Sequence, residues 1–185
     1  MQFTIRKEEI KLTGEEMQPH WAYINFGIAG NSIVSFVGPC DIKPENIIDL
    51  EEYKEGARIY ADKMLHFIIE HFDTDLEKAI LRQYLLISIL EEKLNNRLKD
   101  RKILRWGDDL YDEDSKLTIS AVSKNVVSTK IHLGVNITST KVDTKTRGLE
   151  YYKIDPYELA EVIITQYRLE NRRLKEKSWR MKAVL

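Results

Sequence analysis

The chain has 185 residues, 43% of them hydrophobic and 32% charged, and its 29 basic and 30 acidic residues leave a formal charge of -1. That length predicts a single domain over residues 1–185, with enough chain to bury roughly 70% of the surface the unfolded form exposes. The charge balance argues against a general nucleic-acid binder, which normally carries a basic excess. The lone cysteine, Cys40, excludes an internal disulfide and a cysteine-rich zinc module.

No apolar run approaches the ~18 residues of a membrane span. The opening Met-Gln-Phe-Thr-Ile-Arg-Lys also lacks the apolar stretch of a signal peptide. A soluble, cytoplasmic protein is therefore expected. Trp21 to Phe26 reads as a strand ended by Gly27, and Ser32 to Val37 as a second, stopped by Gly38-Pro39. The acidic stretch Asp41 to Gly56 predicts a long loop with a short helix around Ile47 to Tyr53. Met64 to Phe72 is apolar and β-branched at its centre, which favours a strand over a helix.

The clearest helix covers Thr74 to Leu98. Thr74-Asp75-Leu76-Glu77 has the form of a capping box, and Leu76, Ile80, Ile87, Leu90, Leu94 and Leu98 form one apolar stripe. Arg101 to Trp106 predicts a short strand and Asp108 to Ser115 an acidic turn. Leu117 to Val122 and Val126 to Leu133 read as paired strands around Ser123-Lys124-Asn125, and Thr138 to Gly148 as a loop or edge strand. Asp155-Pro156 supplies an N-cap followed by proline at the first helical position, so a last helix starts there. Its basic end, Arg168 to Lys182, reads as a solvated helix terminus. Strands, a helix, more strands and a closing helix predict an α+β fold: a mostly antiparallel mixed sheet with helices packed on one face.

One segment carries more chemistry than the rest: Leu104-Arg105-Trp106-Gly107-Asp108-Asp109-Leu110-Tyr111, followed by Lys116-Leu117. It resembles the catalytic core of biotin and lipoate protein ligases. Their Lys-Trp-Pro-Asn-Asp signature precedes a strand that opens Lys-Leu. Arg105 stands at the signature lysine, Trp106 matches its tryptophan, Gly107 replaces proline, Asp108 replaces asparagine, and Asp109 matches its aspartate. Downstream, Ile131-His132-Leu133-Gly134-Val135-Asn136-Ile137 is similar to the family's aliphatic strand ending in Gly-Ile-Asn. The similarity covers Thr74 to Thr138. Over the whole length the chain also resembles a mostly archaeal family of uncharacterised proteins. Gly14 to Trp21, Met64 to Phe72 and Gly107 to Tyr111 are the shared landmarks.

The ligase resemblance implies a biotin/lipoate ligase-like fold, with ATP and Mg2+ as cofactors and AMP-forming acyl transfer as the activity. Such chemistry brings two anions together and needs fixed cations and donors. Lys116 and Arg105 are the expected catalytic cations. Trp106, Asp108, Asp109, Gly134, Asn136 and His66 are the expected ligand-binding residues, and Asp109 is the expected metal ligand. Trp106, Lys116 and Asn136 should then converge on one cavity. The partners implied are a small carboxylic acid or nucleotide, with an acceptor protein and a second copy of the chain as further candidates; neither membrane nor nucleic acid is among them.

Two departures favour a second reading. The Arg- and Gly-rich loop of biotin ligases has no counterpart here, and Arg105 is a planar fork where the signature has a compact lysine. Both suit a non-catalytic small-molecule or nucleotide-binding module on the same fold. A third reading is a divalent-metal phosphoryl-transfer enzyme built on Asp108, Asp109 and Asp112 with His66. His66, Glu70 and His71 do not follow the His-Glu-x-x-His order of a zinc peptidase, which favours structural histidines. Cys40 has no visible catalytic partner.

Overall fold

The structure, a computed structural model, describes residues 1–56, 58–139 and 145–184. A five-stranded mixed sheet runs in the order β1 (Gln2–Ile5), β2 (Ser32–Ile42), β3 (Ile59–His71), β8 (Thr129–Asn136), β7 (Thr118–Lys124). Strand β1 pairs parallel with β2; every other pairing is antiparallel. A small second sheet holds β4 (Ile103–Trp106), β5 (Asp109–Asp112) and β6 (Ser115–Lys116). The expected α+β architecture is what the chain forms.

Successive side chains of a strand point to opposite faces. The central strands are apolar at nearly every position because both faces are covered. On one face Leu65, Phe67 and Ile69 of β3 and Ile131, Leu133 and Val135 of β8 pack against two helices. These are α3 (Leu76–Asn95) and α4 (Pro156–Arg180). On the other face Val34, Phe36, Met64 and Ile68 meet Ile42 at the end of β2 and Leu12, Ala22 and Ile47 from the segments between strands. Each such Val, Leu, Ile, Phe or Met side chain contributes about 1.5–3 kcal/mol when fully buried.

Helix α3 starts one residue later than its capping box suggests: Asp75 is the cap, its Oδ1 accepting from Lys78 N at 3.0 Å. At its far end the Asn95 side chain donates to Ile103 O (2.9 Å) and accepts from Ile103 N (2.8 Å), which pins β4 to the helix. Helix α4 has the expected start, with Asp155 Oδ1 accepting from Tyr157 N and Glu158 N, both at 2.9 Å. Its buried residues, Leu159 to Tyr167, all lie in its first half, and Arg172 to Arg180 are exposed.

Three expectations are corrected. Trp21–Phe26 is the helix α1, not a strand, entered through His20 at φ 62° and closed by Gly27 at φ 67°. Its alternating apolar residues do not reflect burial, since only Ala22 is buried. The acidic turn contains strand β5 and the start of β6, with Leu110 and Asp112 buried. Val126 and Val127 belong to the β7–β8 turn, where Asn125 Oδ1 accepts from Val127 N and Ser128 N at 2.9 Å. The short helix in the acidic segment is α2 (Leu50–Lys54), capped by Asp49. Of the loop or edge strand expected over Thr138 to Gly148, residues 140–144 lie outside the described residues; Thr146 bridges Lys116 in parallel.

A buried ion pair fastens α1 to the sheet. Glu70 of β3 and Lys130 of β8 stand directly opposite each other, with Lys130 Nζ 3.4 Å from Glu70 Oε2. Glu70 Oε1 also accepts from Ser128 Oγ (2.7 Å) and from the backbone N of His20 (2.9 Å). This last bond holds the residue that enters α1 in its left-handed conformation.

Candidate functional site

Where the small sheet folds over the end of β7, a small cleft with about 120 Å³ of interior space opens on the face away from α3 and α4. One wall is apolar: Leu12 and Ile47 come from the segments that flank β2, Ile42 ends β2, Ile59 opens β3, and Ile119 belongs to β7. The opposite wall is polar and comes from the hairpins: Asp108, Asp109, Lys116 and Ser120, with His132 of β8 behind them. Asp49 and Glu52 of the α2 region close the mouth. Among these lining residues the carboxylates outnumber the single lysine.

Lys116 Nζ lies 2.6 Å from Asp109 Oδ2, and Asp109 Oδ1 accepts from Thr118 Oγ1 at 3.0 Å. Burial works against the lysine's charge. The Asp109 carboxylate, aided by Tyr111 and Glu52, outweighs it and holds the ammonium above its ordinary value. Lys116 is thus a fixed cation, not an amine nucleophile. Burial pushes Asp109 up, with Lys116 and Thr118 opposing and Asp108 adding to the rise. Desolvation at the cleft mouth pushes Glu52 up as well; Lys116 counters this, while Asp49, Asp109 and Asp108 reinforce it. Asp108 Oδ2 accepts from Gln83 Nε2 and Ser120 Oγ, both at 3.2 Å, so α3 reaches under the sheet edge to orient it.

Of the residues expected at the site, Lys116, Asp108 and Asp109 line the cleft. Asn136 stands behind it: its Nδ2 donates to Lys116 O (3.2 Å) and its N to Leu117 O (2.9 Å), so it positions the lysine's backbone. His66 is fully buried beneath His132, and Gly134 lies on β8 under Ile119 and His132. Arg105 and Trp106 do not reach the cleft, so the expected convergence of Trp106 with Lys116 and Asn136 is corrected. Both belong to the edge strand of the small sheet, beyond the cleft wall. Trp106 is 82% exposed at the hairpin tip, its ring 6.5 Å from Tyr111. The Arg105 guanidinium lies over Tyr84 at 5.2 Å and donates to Gly107 O at 3.1 Å.

Asp112 is also placed elsewhere. It is buried and accepts from Tyr152 Oη (2.6 Å), Arg101 (2.9 Å) and Arg147 (2.5 Å), a structural anchor and not a cleft carboxylate. Burial would raise Asp112, but those three donors win and lower it. Among the described residues no group of three or more His, Cys, Asp or Glu side chains could hold a metal ion. The Cys40 thiol is buried, and burial, with the Glu16 and Asp41 charges, pushes it up to about 12, which leaves it inert as a nucleophile.

Sequence reasoning missed the apolar wall and His132. The apolar wall assembles from Leu12, Ile42 and Ile59, which come together only through tertiary contacts. His132 had a local signal: it is the one ionisable side chain between Ile131 and Asn136.

Among solved structures, a protein of unknown function from Pyrococcus horikoshi superposes with a TM-score of 0.93 at 34% identity, covering 100% of both chains. A biotin protein ligase from Aquifex aeolicus, in complex with biotin and ATP, gives a TM-score of 0.65 at 13% identity over 95% of this chain and 72% of the other. LipL1 of P. falciparum in complex with lipoate gives 0.56 at 14% identity over 92% and 62%. At such identities these two likenesses establish the fold, that of biotin and lipoate ligases. No helix among the described residues is long and apolar enough to cross a membrane. An uncharacterised protein of Methanocaldococcus jannaschii is 39% identical over 153 residues, 80% of this chain; the chain spans 65% of that relative's length. The profile of one family matches residues 1–182, and the chain belongs to that family, described as Domain of unknown function (DUF366).

Proposed function

We propose that the cleft binds a small carboxylic acid or its adenylate, with Lys116 as the cation that meets the ligand's acidic oxygens. The observation that carries this reading is the ion pair of Lys116 with the buried Asp109, facing an apolar wall within a ligase-like fold. An acid entering the cleft competes with Asp109 for one ammonium. The raised affinity of Asp109 for a proton makes that exchange feasible: as the ligand carboxylate pairs with Lys116, Asp109 takes up a proton. Binding then weakens as the pH rises, because the proton that Asp109 must accept becomes scarcer.

The surroundings do not fit a protein-held Mg2+. Both Asp109 oxygens are engaged, by Lys116 and Thr118, and Asp108 Oδ2 is occupied by Gln83 and Ser120. No step is therefore routed through a resident metal. The placement of Arg105 and Trp106 outside the cleft favours a binding role over acyl-adenylate formation, which needs further fixed cations for the phosphates.

The test is mass spectrometry of the natively isolated protein for a bound acid or adenylate, followed by calorimetry of that compound and ATP–pyrophosphate exchange. Lys116→Ala should weaken binding at least about tenfold, or about 1.4 kcal/mol. Equal affinity in the variant would overturn the reading. Pyrophosphate exchange that depends on Lys116 would promote the protein from binder to enzyme.

A further inference from the structure

His132 stands in the cleft wall, 3% exposed. Its Nε2 lies 3.2 Å from His66 Nδ1 on the neighbouring strand. The rings meet because Gly134 leaves room: a Cβ there would stand 3.3 Å from His132 Nε2 and 2.9 Å from Met64 Cε. Beyond His66, its Nε2 lies 3.2 Å from the carbonyl oxygen of Gly38.

This chain of contacts fixes the protons. A carbonyl only accepts, so His66 Nε2 carries the hydrogen and donates to Gly38 O. Burial keeps both rings neutral, lowering His66 to about 4 and His132 well below its ordinary value. A neutral imidazole carries one N–H, so His66 Nδ1 is bare and can only accept. His132 Nε2 must then be the donor of the pair, which leaves His132 Nδ1 as a lone pair. Among the described residues nothing hydrogen-bonds to that nitrogen, yet it is not among the fully enclosed polar atoms that lack a partner.

We propose that His132 determines specificity in the cleft: its Nδ1, fixed as an acceptor by the Gly38–His66 relay, takes an N–H or O–H of the ligand and rejects groups that only accept. The proposal rests on the cleft being the ligand site and is independent of the ligand's being an acid. His132 is four residues along β8 from Asn136, which holds the Lys116 backbone. That is about 13 Å of strand, so His132 lines a different stretch of the cleft from the residue that holds the Lys116 backbone. His66 is a positioning residue that acts through His132.

Long-range proton–nitrogen NMR of the histidine-labelled protein tests this directly. His132 should show a protonated Nε2 and a bare Nδ1, unchanged through the range in which free histidine titrates. Adding n-butyramide, which offers an N–H, should move the Nδ1 resonance upfield. N,N-dimethylbutyramide, of similar shape but accepting only, should need at least a tenfold higher concentration for the same shift. In His66→Phe the selectivity between the two amides should vanish, whereas His66→Gln, which can donate to Gly38 and still accept from His132, should retain it. A protonated Nδ1 in the wild-type protein, equal shifts with both amides, or no shift with either would overturn the proposal. None of these readouts uses Lys116, so failure of carboxylic acids to bind would overturn the proposed function and leave this result standing.

Discussion

Lys130→Met isolates the buried ion pair. Lys130 and Glu70 have side-chain exposures of 0% and 2%, so neither charge is hydrated and each depends on the other. Removing the ammonium leaves a buried carboxylate that keeps only Ser128 Oγ and His20 N as donors. Breaking such a pair from one side costs about 3–5 kcal/mol. For a chain of this size each kcal/mol lowers Tm by about 2–4 °C, so the expected drop is roughly 6–20 °C. Adding Glu70→Gln removes the stranded charge and keeps an acceptor for Ser128 and His20. The double variant should therefore recover more than half of the loss. Urea denaturation of the wild type, both single variants and the double variant gives the coupling energy as a cycle. A loss below about 1 kcal/mol in Lys130→Met, or a double variant no more stable than the sum of its parts, would refute the reasoning.

Further predictions concern the other anchors. Asp112 titrates lower in the fold than its ordinary 3.8, so its stabilising contribution is complete above that value and is lost as the pH falls through the folded value. Asp112→Asn should therefore lower the urea midpoint at neutral pH and flatten its fall below pH 3.8; an unchanged acid limb would contradict this. Gly134→Ala places a methyl 2.9 Å from Met64 Cε and 3.1 Å from Ile119 Cγ1. Overpacking of this kind costs about 1–3 kcal/mol, and the variant's histidine spectrum should show the His66–His132 contact disturbed. Trp106→Ala should change stability by no more than about 0.5 kcal/mol and leave ligand affinity in the cleft unchanged, since the ring is solvated. A tenfold loss of affinity would return Trp106 to the site.

The sequence exposed elements wherever local chemistry and burial agree. Asp155-Pro156 starts α4 because both the cap and the fixed φ act within one turn. The core strands β2 and β3 were readable because covering both faces makes them continuously apolar. Helix α1 was misread because six residues are too few to display a helical period, and left-handed His20 gives no signal in composition. In the site, Lys116, Asp108 and Asp109 were legible through their resemblance to the ligase signature and its spacing to the following strand. That spacing fixes chain position but not direction, and so it could not reveal that Arg105 and Trp106 end on the far rim of a hairpin. The histidine relay needs Gly38, His66 and His132 from three strands, and only the pairing register brings them together.

The uneven support of α4 has a kinetic consequence. Its first half is clamped by core contacts, whereas the turns from Arg172 onward are held by their own backbone bonds and by exposed pairs such as Arg173 with Glu170. Isolated helix ends open readily when tertiary packing is absent. Deuterium uptake along this one element should therefore run as a gradient, fast from the basic end and slow at Ile163, instead of the uniform protection of a helix that opens as a unit.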